Sequence, residues 1–519
     1  MVWRLEDPQG NESGKVRFDV LPYCKSGIDI GCGPSKVWPH LIGVDSGLDG
    51  TLFGIQMRPD IVCDARRLAM FASGSMQTVF SSHTLEHIED HRAALAEWWR
   101  LVAPGGHLIV YLPHADLYPN IGQPGANPDH KHDFRNEDIT SAMSEIAKAG
   151  GHGWDLLVDE TRSQEREYSF LQIYRKRDDA RCVWAIAPKP EKSVGVVRVG
   201  GHGDALWASS ILPHLKEQGY HVTVYAAHTG AEILRHDPNI DRLITLPDGV
   251  LTDDELLAYW AHEAAKHDRW INLIGSVEGR LLAHPNELAF YHPHWLRHKL
   301  MNRNYLEVVH EYAGLDGAPF RQKYYPTVAE QTAARKIREM SPGPVVVINP
   351  AGSGPVKTWP HTQRLMKLLA EAGVYSVVLG DLRGAELEDV EPYGYVVGMQ
   401  WPVRMALAFA LQADAVVATE SLIANAVAFE PMPKVITLSH SSAENLTKHW
   451  LNTIAIEPHG VACHPCHRIH PPHFGFCSRD KTTGASACQA VVTADTVAEL
   501  VLDALRAAGK LPVAEKEAA

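Results

Sequence analysis

Two glycine-rich loops, each following a short apolar run, carry the side chains best suited to chemistry. The stretch VGVVRVGGHGD covers residues 194–204 and ends in Asp204, and the stretch NPAGSGPVKTWP covers residues 349–360 and contains Lys357. Glycine lets a backbone approach a ligand closely, and a following helix points its N-terminal amides at an anion. An acid on one loop and a lysine on the other suit a general base and a diphosphate clamp that face each other across a cleft.

Alternating strand and helix patterns surround both loops. The first loop runs into an amphipathic helix over residues 204–219, and the second is followed by a helix over residues 361–373 and further short apolar strands. Two Rossmann-like halves in tandem, neither with a dinucleotide fingerprint, predict a two-domain cleft enzyme of the GT-B kind. The expected domains are residues 194–335 and residues 340–510.

A separate domain is predicted over residues 1–188. Its glycine loop GIDIGCGP begins at residue 27, and two short strands after it end in Asp45 and Asp64. This alternation predicts an α/β fold with a parallel doubly wound sheet, in which ligands sit at the carboxyl ends of the strands. An acid after the second strand can hold two ribose hydroxyls, and an acid after the third can accept from an adenine amino group.

Together with SSHTLEHI at residues 81–88 and LVAPGGHLIV at residues 101–110, these motifs resemble the class I S-adenosylmethionine-dependent methyltransferases, particularly the type 11 group. The resemblance covers roughly residues 25 to 180. It implies a Rossmann-like fold and S-adenosylmethionine as cofactor. The residues expected on the cofactor side are Asp29, Gly31, Gly33, Asp45, Asp64 and His83. The alternative is a degenerate domain that is retained for packing.

The methyl acceptor is expected beside the segment NPDHKHDFRNED, residues 127–138, which follows the fifth strand. His130 and His132 are the candidates for a general base that acts on a sugar or amide oxygen. Histidines in such a loop are about as often structural, so this second interpretation stays open.

The chain from residue 194 to residue 505 resembles glycosyltransferase family 9, the ADP-heptose:lipopolysaccharide heptosyltransferases. The matching stretches are GGHGDALWASSILPHL, INPAGSGPVKTWP and AVVATESLIANAVAF. The resemblance implies inverting transfer from a nucleotide-diphosphate sugar to a glycan or lipopolysaccharide-type acceptor. It also implies that residues 194–335 form the acceptor domain and residues 340–510 the nucleotide-sugar donor domain. Asp204 would be the base, and Lys357, Ser353 and the amides near Gly352 and Gly354 would hold the diphosphate. The alternatives are a helix cap for Asp204 and a solvated surface position for Lys357.

One segment departs from the family pattern. At the start of a late helix, the family has the pattern acid, Ser/Thr, Gly, Leu, any residue, His. In this chain the same segment is Glu420-Ser421-Leu422-Ile423-Ala424-Asn425, with leucine in place of the glycine and asparagine in place of the histidine. Glu420, Ser421 and Asn425 remain candidates for donor binding, with helix capping equally open for Asn425. Asp381 and Glu386 are candidates for the donor ribose. Because of these departures, heptose is not assumed as the transferred sugar.

The C-terminal region contains a cysteine cluster over residues 463–488. Two cysteines lie at C-x2-C spacing and two more follow at intervals of ten residues: Cys463, Cys466, Cys477 and Cys488. Four thiolates can close a tetrahedral structural zinc site. Two disulfides or a set of buried thiols are the alternatives, since the second pair lacks the C-x2-C spacing.

Composition narrows the classes of protein. The chain has 519 residues with 49 basic and 62 acidic side chains, a net charge of −13. This balance weakens a role as a general nucleic-acid binder, which usually carries a basic face. There is no run of about 18 apolar residues and no apolar signal-peptide core, so no membrane span and a cytoplasmic location are expected.

The sequence therefore predicts a bifunctional glycan-modifying enzyme, in which one module transfers a sugar and the other methylates a sugar or its substituent. Three other classes stay open. They are a single-activity glycosyltransferase whose N-terminal domain binds a cofactor or partner, a modifier of nucleic-acid bases, and a non-catalytic glycan-binding module.

Overall fold

The protein is described by a computed structural model that covers residues 12–47, 51–52, 55–164, 166–247, 249–274, 291–341, 343–382, 387–467, 469 and 477–512. Contacts divide the chain into two compact units. The first contains residues 1–191 and 246–266, and the second contains residues 192–245 and 267–519.

The elements are numbered in chain order. The strands are β1 (Gly27–Ile30), β2 (Ile42–Asp45), β3 (Thr51–Leu52), β4 (Ile55–Gln56), β5 (Ile61–Val62), β6 (Met76–Ser82), β7 (Val102–Pro113), β8 (Trp154–Arg162), β9 (Ser169–Lys176), β10 (Val183–Trp184), β11 (Ser193–Arg198), β12 (His221–Ala227), β13 (Arg242–Leu246), β14 (Arg269–Asn272), β15 (Val345–Asn349), β16 (Tyr375–Leu379), β17 (Gly394–Gly398), β18 (Ala415–Thr419), β19 (Lys434–Thr437) and β20 (Thr453–Ile456). The helices are α1 (Arg17–Val20), α2 (His91–Leu101), α3 (Asn136–Gly150), α4 (His202–Ser209), α5 (Leu212–Glu217), α6 (His228–Leu234), α7 (Asp253–Ala264), α8 (His294–Met301), α9 (Tyr305–Tyr312), α10 (Val328–Glu339), α11 (Thr362–Glu371), α12 (Val403–Ala410), α13 (Leu422–Val427), α14 (Ala443–Leu446), α15 (Ala487–Ala490) and α16 (Ala494–Ala507). Among the described helices, none is both long and apolar enough to cross a bilayer.

The first unit is built on one sheet with the strand order β10-β8-β9-β7-β6-β1-β2-β5. Strands β5, β2, β1, β6 and β7 pair in parallel, as the alternation of strand and helix patterns predicts. The order reverses between β1 and β6, which is the position where doubly wound sheets bind their ligands. Strand β9 runs antiparallel to both neighbours because β8 and β9 form a hairpin, and this departs from an all-parallel sheet.

Helix α7 belongs to the first unit, although it lies within the continuous range 194–335 that the sequence suggested for one domain. Arg17 of α1 forms an ion pair with Glu255 at 2.6 Å, and Asp19 contacts His262 at 2.8 Å. The ring of Phe18 packs against Tyr259 at 5.7 Å between centroids. An apolar contact flanked by ion pairs thus fixes α7 on the N-terminal segment of this unit.

The second unit contains two sheets. The first has the order β13-β12-β11-β14 and the second has the order β17-β16-β15-β18-β19-β20. Every pairing in the second sheet is parallel, and so are those of β11 with β12 and β14. Parallel pairing in both sheets, each covered by helices, confirms the predicted pair of tandem Rossmann-like lobes, the GT-B arrangement.

The helix predicted over residues 204–219 is two helices. α4 ends at Ser209 and α5 begins at Leu212. Pro213 follows directly at the second position of α5. A proline has no backbone N–H to donate, and its ring clashes with the carbonyl four residues earlier, so one continuous helix cannot pass through it.

Arg404 joins elements from both lobes of the second unit. Its guanidinium binds both carboxylate oxygens of Glu330 at 2.8 and 2.9 Å. It also donates to the backbone carbonyls of Glu232 on α6 at 3.0 Å and of Tyr325 at 3.0 Å. The residue is 7% exposed, so its removal takes the charged donor from Glu330, which keeps only the Thr327 N–H at 2.7 Å, and takes a donor from each of these carbonyls.

We expect Arg404→Met to lower the free energy of unfolding of the second unit by about 3–5 kcal/mol, the usual loss when one partner of a buried ion pair is removed. Chemical denaturation followed by tryptophan fluorescence measures this. Arg364→Met is the matched control, since its pair with Asp495 is more than half exposed on both sides and should contribute about 0–1 kcal/mol. An equal, small effect of both variants would contradict a structural role for Arg404.

Candidate functional site

A cleft of about 820 Å³ lies in the second unit, between the loops that follow its strands. The loops after β11, β15, β16 and β18 all contribute to its lining, which includes residues 201–204, 351–353, 380–381 and 420–423. Strands β15 and β18 are neighbours on which the sheet order reverses, so their carboxyl ends form a switch point. Both glycine-rich loops that the sequence singled out therefore meet on one cavity.

Asp204 lies in the first turn of α4 and lines the cleft. One carboxylate oxygen accepts from the backbone N–H of Gly201 at 2.7 Å, as in a capping box. The other lies 3.0 Å from the guanidinium of Arg198, which is 3% exposed. The Asp204 side chain thus both caps α4 and lines the cleft. Arg198 was not singled out from the sequence, where it appears only as the last residue of an apolar strand.

Lys357 ends a short 3-10 turn, Pro355–Lys357, and its ammonium lies 3.8 Å from the carboxylate of Glu420. The loop before it packs tightly, because a Cβ on Gly352 would lie 2.5 Å from the Glu420 carbonyl oxygen. Gly352 and Ser353 line the cleft, and Gly354 is the residue that begins the turn. The tight contact at Gly352 keeps this loop against the Glu420 segment.

Glu420 is 5% exposed and surrounded by donors. It accepts from the backbone N–H groups of Ser439 and Ser441 at 2.7 and 3.1 Å, and it lies 3.0 Å from Nε2 of His440. Burial raises the pKa of Glu420, but His440, Lys357 and the two N–H groups outweigh it and lower the pKa to about 2. Glu420 is therefore an internal counter-ion that orients Lys357 and His440. No sequence pattern indicated His440.

Ser421 and Asn425 are engaged within the protein. The hydroxyl of Ser421 caps α13 by accepting from the Ala424 N–H at 3.3 Å. The side chain of Asn425 accepts from the Trp207 indole at 2.7 Å and donates to the Ser421 carbonyl at 2.9 Å. Asn425 thus joins α13 to α4 across the floor of the cleft, where both residues are lining positions.

The part of the cleft beyond β16 and β17 offers a more apolar surface. Gly380 and Asp381 follow β16, and Met399 and Trp401 follow β17. Met399 is 75% exposed. Asp381 lines the cleft as a ribose ligand requires, whereas Glu386 lies outside the described residues.

We expect Glu420→Gln to destabilise the protein at neutral pH and much less in acid. The pKa of Glu420 is about 2 in the folded protein against an ordinary 4.5. A carboxylate whose pKa is lower in the folded protein than in the unfolded chain stabilises the folded state at pH values above the unfolded pKa. This stabilisation is lost as the pH falls from about 4.5 towards about 2. The difference corresponds to about 3 kcal/mol.

The unfolding midpoints of the wild type and of Glu420→Gln, measured from pH 7 to pH 3, should therefore converge in acid. Glu391→Gln, an exposed position of the same lobe, is the control and should leave the midpoint unchanged. A gap between wild type and Glu420→Gln that stays constant down to pH 3 would show that Glu420 is not held ionised by its neighbours.

In the first unit, the predicted cofactor loop follows β1. Asp29 is 2% exposed and accepts from the Val37 N–H at 2.7 Å, and burial raises its pKa to about 7. Gly31 and Gly33 both have positive φ, and a Cβ on Gly31 would lie 1.9 Å from the Thr84 hydroxyl oxygen. Only glycine fits this close approach. Asp45 ends β2 and accepts from the Gly33 N–H at 3.1 Å, so the strand ends and the loop form one cradle.

Asp64 and His83 have partners inside the unit. The Arg66 guanidinium binds both oxygens of Asp64 at 2.6 to 3.1 Å and lowers its pKa to about 2. His83 adopts a positive φ, and its Nε2 contacts the Ser169 hydroxyl at 3.0 Å. Burial lowers the pKa of His83 to about 3. His83 is therefore a neutral, fixed imidazole at the end of β6.

The two histidines proposed as a base lie in different surroundings. His132 Nε2 contacts the carbonyls of Ile88 and Glu89 at 3.1 and 2.9 Å, so its ring holds the loop in place. His130 is 8% exposed, and its Nε2 lies 4.0 Å from the Glu86 carboxylate. The fold thus separates the pair, and it brings His130 rather than His132 to a buried acid.

The four C-terminal cysteines are free thiols. Cys488 hydrogen-bonds to Cys477 and lowers the pKa of that thiol, while the charges of Cys466 and Cys463 act on it in the opposite sense. The same hydrogen bond, with burial, raises the pKa of Cys488. The segment between Cys466 and Cys477 is largely outside the described residues. The fold therefore gathers thiols from both ends of the cysteine cluster.

Residues 28–110 match the family model described as "Methyltransferase domain". A S-adenosylmethionine-dependent methyltransferase from Archaeoglobus fulgidus is 15% identical, with a TM-score of 0.24, over 32% of this chain and 92% of that one. The matched range contains the β1 loop, Asp45, Asp64 and the β6 end. The prediction of a methyltransferase domain is confirmed by the family model.

Solved glycosyltransferase structures resemble the part of the chain outside the methyltransferase domain. A family 9 glycosyl transferase from Veillonella parvula is 15% identical, with a TM-score of 0.45, over 62% of this chain and 99% of that one. The E. coli ADP-heptose lipopolysaccharide heptosyltransferase II is 16% identical, with a TM-score of 0.42, over 61% of this chain and 99% of that one. A curated relative, an uncharacterized 37.1 kDa transposon protein of Streptomyces fradiae, is 25% identical over 213 residues. The match covers 57% of that protein's length and 37% of this chain. The chain thus contains a methyltransferase domain, and a unit of two Rossmann-like lobes follows it.

Proposed function

We propose that the second unit transfers a sugar from a nucleotide diphosphate to a glycan acceptor, and that the first unit methylates the same class of product. The observation that carries the first half is the convergence of Asp204 and Lys357, from loops of different lobes, on one cleft of about 820 Å³. This volume is in the range of small-molecule sites and is lined by both apolar and polar groups.

In the proposed reaction Asp204 takes the proton of the acceptor hydroxyl as the oxygen attacks the anomeric carbon. The bond from that carbon to the diphosphate breaks at the same time, so the configuration inverts. The leaving diphosphate gains negative charge and requires fixed donors. Lys357, held beside Glu420, and the amides of the Gly352–Ser353 loop are suited to this. Lipopolysaccharide-type glycans are the acceptor class that the heptosyltransferase likeness suggests.

The first unit is proposed to bind S-adenosylmethionine at the β1 loop. The cradle at Gly31, which a Cβ would fill, and the acid at the end of β2 suit the cofactor's methionine end and ribose. The cofactor supplies an electrophilic methyl group. This chain's own contribution is to hold it at the carboxyl ends of β1 and β6. Asp64 would reach an adenine only by sharing or releasing Arg66.

The cysteine cluster is proposed to hold a structural zinc ion. Four thiols from Cys463 to Cys488 provide a complete tetrahedral set, and the hydrogen bond between Cys477 and Cys488 brings the two later thiols together. Measuring zinc in the purified chain before and after Cys463→Ser tests this, and an unchanged zinc content would reject it.

A thermal-shift panel on the full chain tests the nucleotide assignment. The ligands are ADP, GDP, UDP and CMP, with S-adenosylmethionine as an independent arm. A ligand at 100 times its dissociation constant stabilises the native state by about 2.7 kcal/mol. A response to one nucleotide class that Lys357→Met reduces is expected. A response to no nucleotide at all would favour a glycan-binding module and overturn the proposed transfer.

Bifunctionality is tested with labelled donors and a glycan extract. Transfer of both the sugar and the methyl group to one glycan fraction is the expected result. Binding of S-adenosylmethionine without methyl transfer to any acceptor would instead support a single-activity glycosyltransferase with a cofactor-binding N-terminal unit. Sugar transfer to DNA would identify a modifier of nucleic-acid bases.

A further inference from the structure

A buried carboxylate without a hydrogen-bond partner lies at the end of β6 in the first unit. Glu86 is 0% exposed, and neither of its carboxylate oxygens has a hydrogen-bond partner within the described part of the chain. Burying a carboxylate in this way is costly unless a cation or a proton neutralises it. Such a group requires an explanation, because buried polar atoms are nearly always satisfied.

Imidazoles from three described residues approach this carboxylate. Nδ1 of His83 lies 3.8 Å from one Glu86 oxygen, while the other ring nitrogen of His83 contacts the Ser169 hydroxyl. Nε2 of His87 and Nε2 of His130 each lie 4.0 Å from the same Glu86 oxygen. The ligand atoms of Glu86, His87 and His130 all lie within 4.8 Å of one another. Around an ion bound at about 2.1 Å, neighbouring ligand atoms are about 3.0–3.4 Å apart, so small side-chain rotations close the set.

The two segments that provide these ligands are fixed to each other by their backbones. The carbonyl of Glu86 accepts from the Lys131 N–H at 2.7 Å and from the His132 N–H at 3.3 Å. The His87 ring also hydrogen-bonds to the backbone of Asp129. Partners of this kind orient a ligating imidazole. The His87 side chain is 34% exposed, which gives an ion a path from solvent.

We propose that Glu86, His87 and His130 bind a divalent transition-metal ion such as Zn²⁺, Mn²⁺, Fe²⁺ or Co²⁺. Two imidazoles and one carboxylate are a donor set that these ions favour over Ca²⁺ and Mg²⁺. Three protein ligands leave coordination positions open to water or to a substrate oxygen.

The position of this cluster suggests what an open coordination site would serve. Thr84, two residues before Glu86, packs against Gly31 of the proposed cofactor loop. An acceptor oxygen bound to the ion would thus lie on the side of the sheet where the methyl group is presented. This link to methyl transfer rests on the proposed function of the first unit, whereas metal binding itself does not.

Metal binding is tested on the full chain after removal of metal with a chelator. Cys463→Ser/Cys466→Ser serves as the background, so that the cysteine cluster does not contribute. Titration with Co²⁺, followed by its visible d–d absorption and by calorimetry, should reveal one equivalent per chain. Glu86→Gln and His87→Ala should each weaken binding at least about 100-fold, since losing even an outer-shell partner costs about 10–100-fold.

His40→Ala removes an exposed histidine of the same unit and should leave the Co²⁺ titration unchanged. Calorimetric binding of S-adenosylmethionine to each variant shows whether the unit is folded, and it reports on the proposed cofactor site separately. The absence of a bound equivalent, or equal Co²⁺ affinity in Glu86→Gln, His87→Ala and the background, would overturn the proposed site. Failure of the unsubstituted chain to bind S-adenosylmethionine, with Co²⁺ binding intact, would overturn the proposed methyl transfer instead and leave the metal site standing.

Discussion

Asp204→Asn is expected to reduce the rate of sugar transfer by about 10²–10⁴-fold, the usual contribution of a positioned general base. The amide oxygen of asparagine can still accept from the Gly201 N–H, which Asp204 now does at 2.7 Å. The N-terminus of α4 should therefore stay intact while the proton acceptor is lost. The measurement is the initial rate of transfer from a labelled nucleotide sugar, with the donor that the thermal-shift panel identifies.

The control for this prediction is Asp495→Asn, an exposed acid in the first turn of α16 whose side chain is 67% exposed. It should transfer sugar at the wild-type rate. Nucleotide binding to Asp204→Asn should also be close to that of the wild type, because the base acts on the acceptor and not on the donor diphosphate. Wild-type turnover by Asp204→Asn would assign this aspartate to capping alone.

Lys357→Met is expected to affect the donor side. The methionine keeps most of the aliphatic length and removes the charge that lies 3.8 Å from Glu420. A charge-assisted hydrogen bond contributes about 1.5–3 kcal/mol, so nucleotide diphosphate affinity should fall about 10–150-fold. Because charge develops on the leaving diphosphate, the turnover rate should fall as well, by about 10²–10³-fold.

Lys336→Met, on the exposed side of α10, is the matched control and should leave nucleotide affinity and turnover unchanged. Calorimetry with the nucleotide diphosphate and steady-state kinetics together separate the binding and rate effects. A Lys357→Met enzyme with reduced stability but normal affinity would indicate that the lysine only neutralises Glu420 and does not contact the donor.

The loops that carry these residues were predictable because their signals are local. A short apolar strand, a glycine-rich loop and a helix start lie within about a dozen residues at 194–204 and again at 349–360. The loop after β1 shows the same local logic, with positive φ at Gly31 and Gly33. Alternation of such units was enough to predict parallel sheets in both units.

The antiparallel hairpin of β8 and β9 was not predicted, and neither was the membership of α7 in the first unit. Both depend on where an element packs rather than on its own pattern. An amphipathic helix such as α7 shows that it has an apolar face, but its sequence does not say which surface covers that face.

In the candidate site, too, local features were predictable from the sequence and packing contacts were not. The sequence by itself determined which strands end in glycine loops, and that Asp204 and Lys357 follow them, because backbone conformation depends mainly on near neighbours. Only the tertiary structure decided that Asn425 bonds to Trp207, 218 positions away, that His440 stands beside Glu420, and that His130 meets Glu86. These contacts are set by how loops and helices fill the space at the carboxyl ends of the strands, and close packing of that kind is not encoded in the spacing of residues along the chain.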